Sequence, residues 1–276
     1  VQALEPLRRP IHDPSFKAQR RQDAAHLLCY CHTTLGDVDE ARTEIARLKD
    51  QFAEDTVEGI ALRSMEGWLE YLSGHPQDCI TACKVSLEDL KRLGTDQWIA
   101  ETTRWLAYAY QSVGNTCEAF RSVYESLEVA KQRGDVGNVL QAKLALARIH
   151  RRRSQYQEAG ALLLEAFEEY ASLGAQSILS NIALDISVVS RLTGDLETSR
   201  LYAGKALAIA KANNKTMTAL LARIALARVA FQMNDLQACR RHLYHVIQGA
   251  TPGVDFLALV LAHEDLGDLF AWEEDY

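Results

Sequence analysis

The stretch Ala147–Ala159 places His150, Arg151, Arg152 and Arg153 in a row, in a chain whose 37 acidic side chains outnumber its 30 basic ones for a formal net charge of −7. Arg148 and Arg151 stand three residues apart, so on a helix both guanidinium groups leave one face. Planar forks aimed the same way suit a carboxylate or a phosphate. The competing reading is a solvated helix C-terminus, where basic side chains complement the dipole; Arg153 fits that better than Arg148 or Arg151 does.

Other chemistry-bearing residues organise less well. Cys29, Cys31 and His32, or Cys79 and Cys83 at i, i+4, could be drawn as metal ligands. No second Cys-x-x-Cys or His-x-x-x-His completes a tetrahedral set, and six cysteines in 276 residues make no disulfide framework. They read as small apolar filler in a reduced, cytoplasmic protein. Phosphate loops, GxGxxG, HExxH and GxSxG are missing from the sequence. Glu168-Glu169 and Glu273-Glu274 read as solvated faces, and His150 beside Arg151 is no nucleophile arrangement. The segment reads as non-enzymatic, with no cofactor and no metal.

Composition sets the outer bounds. With 48% hydrophobic and 24% charged residues the chain can bury a core and is too apolar for disorder. No apolar run reaches the roughly 20 residues of a membrane span, and no signal-peptide region opens the sequence. Net acidity argues against a general nucleic-acid binder, whose affinity would come from phosphate neutralisation.

The elements that position the arginines emerge from an internal repeat. The segments starting at Gly36, Gly74, Gly114, Ser154, Gly194 and Asn234 align as GDVDEA, GHPQDC, GNTCEA, SQYQEA, GDLETS and NDLQAC, spaced 38 residues and then 40 throughout. A second mark, Gly94, Gly134, Gly174 and Asn214, keeps the same 40-residue period. Glycine and asparagine are the residues that close helices in the left-handed conformation. Two marks per period mean two helices per repeat, one ending before Gly114 and the next before Gly134. Ile99, Thr103, Leu106 and Tyr110, then Cys117, Phe120, Val123, Leu127 and Ala130, advance by helical steps. Pro76 suits a first helical turn. The expectation is an all-α chain of about 13 helices and no sheet. A further mark would fall at Glu274, two residues before the end, so the chain reads as a segment of a longer protein.

Leu266–Tyr276, LGDLFAWEEDY, resembles the tetratricopeptide-repeat signature. The same frame gives Leu106-Ala107 with Tyr110, Leu146-Ala147 and Leu226-Ala227, with Ile186-Ser187 as a looser version. It also gives small residues early in each second helix at Ala41, Cys79, Ala119, Ala159, Ser199 and Cys239. The resemblance is to the 40-residue subclass found in bacterial multidomain signalling regulators. It implies a single right-handed α-solenoid over 1–276, of about six and a half repeats: 22–58, 59–96, 97–136, 137–176, 177–216, 217–256 and a partial 257–276.

In that family the first helix of each pair lines a concave binding groove. Taking Cys29, Gly67, Ala107, Ala147, Ser187, Ala227 and Gly267 as a ruler, the next residue should face the groove: Tyr30, Trp68, Tyr108, Arg148, Val188, Arg228 and Asp268. Three further on stand Thr33, Tyr71, Gln111, Arg151, Arg191, Phe231 and Ala271. Four before the first column stand His26, Ser64, Arg104, Leu144, Leu184, Ile224 and Glu264. The candidate groove residues are therefore Tyr30, Trp68, Arg104, Tyr108, Arg148, Arg151, Arg191, Arg228 and Phe231, a basic patch beside an aromatic row. Tyr110 and Phe270 read as packing.

The resemblance implies a regulatory interaction module that binds a protein or peptide, an acidic one suiting the arginines. A small-molecule sensor controlling an attached effector, of transcription-activator or diguanylate-cyclase type, is the alternative. A homodimerisation surface is also open; nucleic acid and membrane are not expected partners.

Overall fold

The computed structural model describes residues 38–251 and 253–274, with isolated positions before residue 38. Cys29, Tyr30, Cys31, His32, Gly36 and Pro252 lie outside the described residues, as do His26, Thr33 and Tyr276.

The described residues form twelve helices and no strand: α1 (Val38–Lys49), α2 (Val57–Leu72), α3 (Pro76–Arg92), α4 (Ile99–Ser112), α5 (Thr116–Gln132), α6 (Val136–Arg152), α7 (Tyr156–Ser172), α8 (Gln176–Leu192), α9 (Leu196–Ala212), α10 (Thr216–Gln232), α11 (Leu236–Gly249) and α12 (Phe256–Glu274). Two compact units divide the chain, Val1–Ala145 and Leu146–Tyr276. Within each unit helices pack on their chain neighbours and on alternate helices, α2 on α4, α8 on α10 and α10 on α12. That contact pattern is the all-α, tetratricopeptide-like solenoid architecture. Even-numbered helices are the first of each pair and odd-numbered ones the second. No helix among the described residues is long and apolar enough to cross a membrane.

Local chemistry explains the regularity. Gly74, Gly94, Gly114, Gly134, Ser154, Gly174, Gly194, Asn214 and Asn234 stand at 20-residue intervals, all with φ between +55° and +89°. Each closes a helix. At Gly134 the carbonyls of Lys131 and Ala130 accept from the amides of Gly134 and Asp135 at 3.0 and 2.9 Å, satisfying groups the helix end would otherwise orphan. The next residue often opens the following helix. Asn115, Asp195 and Asp235 accept from the backbone amides of Glu118, Thr198 and Ala238. Reversal and restart are thus written in two adjacent residues. One connection departs from this. Trp98 is buried with φ +67°, and α4 starts three residues later in its repeat than α6, α8 and α10 do in theirs.

Small residues set the approach of paired helices. Ala41, Cys79, Ala119, Ala159, Ser199 and Cys239 are all buried. A Cβ built on Gly67 would stand 2.8 Å from the Ala82 Cβ and 3.5 Å from the Cys79 Cα, so α2 and α3 meet backbone to backbone there. At the equivalent place in the other unit Ser199 Oγ donates to the Ser187 carbonyl at 2.7 Å. Serines also tie pairs together at a fixed 26-residue offset. Ser86 Oγ donates to the Ile60 carbonyl at 3.4 Å and Ser126 Oγ to the Ala100 carbonyl at 2.6 Å.

Two expectations need correcting. Ser64, Leu144 and Ile224, assigned to the groove, are buried. The N-terminal halves of α2 and α4 approach closely enough for Thr102 Oγ1 to donate to Ser64 Oγ at 3.2 Å, so Ser64 lies in a seam between helices, whereas Glu264 of the same column is exposed. Tyr110 is buried as packing, but Phe270 is 44% exposed. Among the described residues no helix follows α12 to cover it, and the Arg240 guanidinium sits over its ring at 5.7 Å.

Candidate functional site

The first unit carries an aromatic cluster on its even-numbered helices. Trp68 on α2 is the hub. Its ring stacks on Tyr71 at 4.9 Å and on Trp105 of α4 at 6.0 Å, and lies 5.9 Å from Tyr108, tilted by 44°. Trp105 is buried, whereas Trp68, Tyr71 and Tyr108 are half-buried. Arg104 sits 4.0 Å from Glu101 with its side chain 13% exposed, so it offers less surface than Arg148, Arg151 or Arg228.

The second unit carries the charged residues. In α6 the basic row separates by helical angle. His150 turns inward, its Nδ1 3.1 Å from Gln155 Oε1. Arg148 and Arg151 leave together toward Asp185 of α8, at 3.9 and 3.7 Å. Arg152 and Arg153 are exposed. The row therefore divides between a helix end, at Arg152 and Arg153, and a cluster of Arg148 and Arg151 with Asp185. Two repeats later Arg228 of α10 meets Asp265 of α12, its Nε 2.9 and 3.2 Å from the two carboxylate oxygens. Arg191 and Phe231 flank that pair, and Phe231 meets Trp272 edge to face at 5.7 Å.

A single offset unites these contacts. Trp68 meets Trp105, Arg148 meets Asp185 and Arg228 meets Asp265, always 37 residues on. That is one 40-residue repeat less about one helical turn. Position 1 after the ruler residue on one first helix therefore touches position 2 before it on the next. Trp105, Asp185 and Asp265 were missed as site residues in the sequence. Their signal was the column two before the ruler, which alternates Trp105, Ala145, Asp185, Ala225 and Asp265.

Burial dominates the electrostatics of Asp185. It raises the carboxyl above its ordinary value, and Arg148 and Arg151 only partly pull it back. A carboxyl with a raised folded-state pKa binds its proton more tightly folded than unfolded, so its contribution to stability is present at low pH and lost as pH rises through the folded pKa. Asp185→Asn should therefore gain on the wild type as pH rises upward from about 4. Urea midpoints of both proteins across about pH 3 to 7 test this; a wild-type advantage that grows with pH would refute it.

Glu70, His75 and Asp78 bring one ligand atom each within 4.8 Å of one another, a group the sequence reading did not single out. Glu70 is already hydrogen-bonded to Arg42, which holds its carboxyl below the ordinary range. A guanidinium on the central carboxylate opposes a dication there. Cys79 and Cys83 are free and buried with sulfurs 3.9 Å apart, as filler in the α2–α3 contact.

No family model matches the sequence, and no curated protein sequence does. Solved structures match the fold. A Rap protein complexed with competence and sporulation factor superposes with a TM-score of 0.67 at 14% identity, covering 99% of this chain and 85% of that one. NprR in complex with its cognate peptide NprX gives 0.65 at 16%, covering 99% and 84%. The signal-transduction ATPase PH0952 from Pyrococcus horikoshii, described as carrying a tetratricopeptide repeat sensor, gives 0.59 at 16%; this chain spans 40% of its length. The fold is that of tetratricopeptide-like repeat proteins.

Proposed function

We propose that the chain is a non-catalytic, peptide-binding regulatory module of the 40-residue tetratricopeptide type, acting within a larger cytoplasmic signalling protein such as a transcription regulator. The observation that carries the reading is the 37-residue pairing on the face of the first helices. It presents rigid rings in one unit and arginine–aspartate pairs in the other, fixed before any ligand arrives. Pre-ordered side chains lose little freedom on binding, and rings with guanidinium forks are the side chains that dominate peptide and protein recognition. The likeness in fold to NprR, solved with its cognate peptide, and to Rap, solved with competence and sporulation factor, supports the same reading. Candidate groove residues are Trp68, Arg104, Tyr108, Arg148, Arg151, Arg191, Arg228 and Phe231, with Tyr30 as an expectation from the ruler alone.

The test is selection from an equimolar random heptapeptide pool by the immobilised chain, read by mass spectrometry. A recurring consensus among retained peptides is the expected result. Uniform retention, together with thermal stabilisation by a metabolite or nucleotide, would replace this reading with a small-molecule sensor.

A further inference from the structure

The second unit holds a cavity of about 230 Å³ lined by Arg191 of α8, Arg228, Phe231 and Gln232 of α10, and Asp265 and Asp268 of α12. Arg228 and Asp265 neutralise each other through two hydrogen bonds. Arg191 and Asp268 are left over. Among the described residues neither side chain makes an ion pair or a hydrogen bond. Arg191 is half-buried. Burial lowers its pKa, Arg228 pushes it the same way, and Asp265 opposes. A partly desolvated cation with no ion-pair partner of its own is only partly compensated by Asp265, and a bound carboxylate relieves it.

The lining also says what does not fit. Two arginines face two aspartates, so the wall has no net charge. A polyphosphate would meet both carboxylates at close range. A ligand with one carboxylate and one cationic group finds a partner for each. The volume is below the roughly 300–1,000 Å³ of pockets that engulf drug-sized molecules. It suits one or two residues of a longer ligand.

We propose that this cavity is the subsite that selects and orients a bound peptide: Arg191 takes a peptide carboxylate, Asp268 a nearby cationic group of the same peptide, and Phe231 the apolar carbon between them. The proposal rests on the peptide-binding reading above and gives that peptide a chemistry. The carboxylate can be an acidic side chain or the C-terminus, and the same experiment separates the two.

The probes are fluorescein-labelled heptapeptide pools with a central Glu-Lys, Gln-Lys, Glu-Gln or Gln-Gln pair, each made with a C-terminal amide and with a free C-terminal acid. They are titrated with the whole chain by fluorescence polarisation. For the side-chain source, the amidated Glu-Lys pool binds at least about tenfold tighter than Gln-Lys, the scale of one charge-assisted hydrogen bond. For the C-terminal source, free-acid pools beat amides by a similar factor whatever the central pair. In either case Arg191→Gln erases the carboxylate preference, and Asp268→Asn erases the preference for lysine. Arg153→Gln, at an exposed arginine outside the cavity, keeps the wild-type pattern, and circular dichroism confirms that each variant is folded. Carboxylate preference that survives Arg191→Gln, or binding with no such preference, overturns the subsite alone. Absence of binding by every pool overturns the peptide reading and the subsite with it.

Discussion

Ala159→Trp should destabilise the protein by about 3 kcal/mol or more, whereas Arg153→Ala, six residues away, should change stability by no more than about 0.5 kcal/mol. Ala159 is fully buried near the start of α7, in the column where the second helix of a pair approaches the first. Two equivalents of that contact show how little room it has. A single Cβ on Gly67 would already press on Ala82 at 2.8 Å, and Ser187 and Ser199 are close enough for a 2.7 Å hydrogen bond. An indole cannot enter such a seam without separating the pair, and separation would propagate, because α7 also packs on α8. Arg153 is exposed beyond the end of α6. The measurement is the urea midpoint of each variant. Equal midpoints would mean that the repeat frame is misplaced at α7.

The close packing at Ala159 is legible in the sequence, and the reason is physical. Reversing a helix needs a left-handed residue, and few residue types accept that conformation, so the 20-residue rhythm is written in Gly, Asn and one Ser. Close helix contact needs a missing side chain, so Ala159, Ser199 and Cys239 mark the seam. Where the backbone restricts residue type, the sequence is readable. The burial of Ser64, Leu144 and Ile224 was not readable in this way. Ser64 is polar and lies on the same stripe as Trp68. What buries it is the convergence of α2 and α4, expressed in the Thr102–Ser64 hydrogen bond, and convergence of two helices leaves no local mark in either.

The acidic partners of the arginines failed for a different reason. Reading Arg148, Arg151, Arg191 and Arg228 down columns of equal repeat position gives a basic patch, because each column is compared with itself. Neighbouring first helices do not meet at equal positions. They meet three residues out of step, so Asp185 and Asp265 answer arginines from another column. The patch is consequently an alternation of paired charges, with Arg191 and Asp268 as its unmatched remainder. Salt dependence of ligand binding should be correspondingly reduced, since Asp185 and Asp265 compensate part of the guanidinium charge within the protein.

Trp68→Ala should cost about 3 kcal/mol, the low end for loss of a large aromatic, because the indole is half-buried. Three ring contacts disappear with it, to Tyr71, Trp105 and Tyr108, and aromatic pairs contribute about 0.5–1.5 kcal/mol each beyond area burial. Trp68→Phe should cost less, keeping an apolar ring in the stack. The Trp105 contact is the important one, since it joins α2 to α4 across the face proposed to bind peptide. A double-mutant cycle on Trp68 and Trp105 should give a coupling of about 1 kcal/mol. Urea titration of the two single variants and the double variant measures it. The outcome also bears on recognition. If the indole is held by its neighbours, a peptide meets a plate already fixed in place, and Trp68→Ala weakens both stability and binding. If Trp68→Ala leaves the urea midpoint unchanged, the stack does not hold the ring in solution, and Trp68 is a mobile surface side chain whose value to a ligand would include the cost of ordering it.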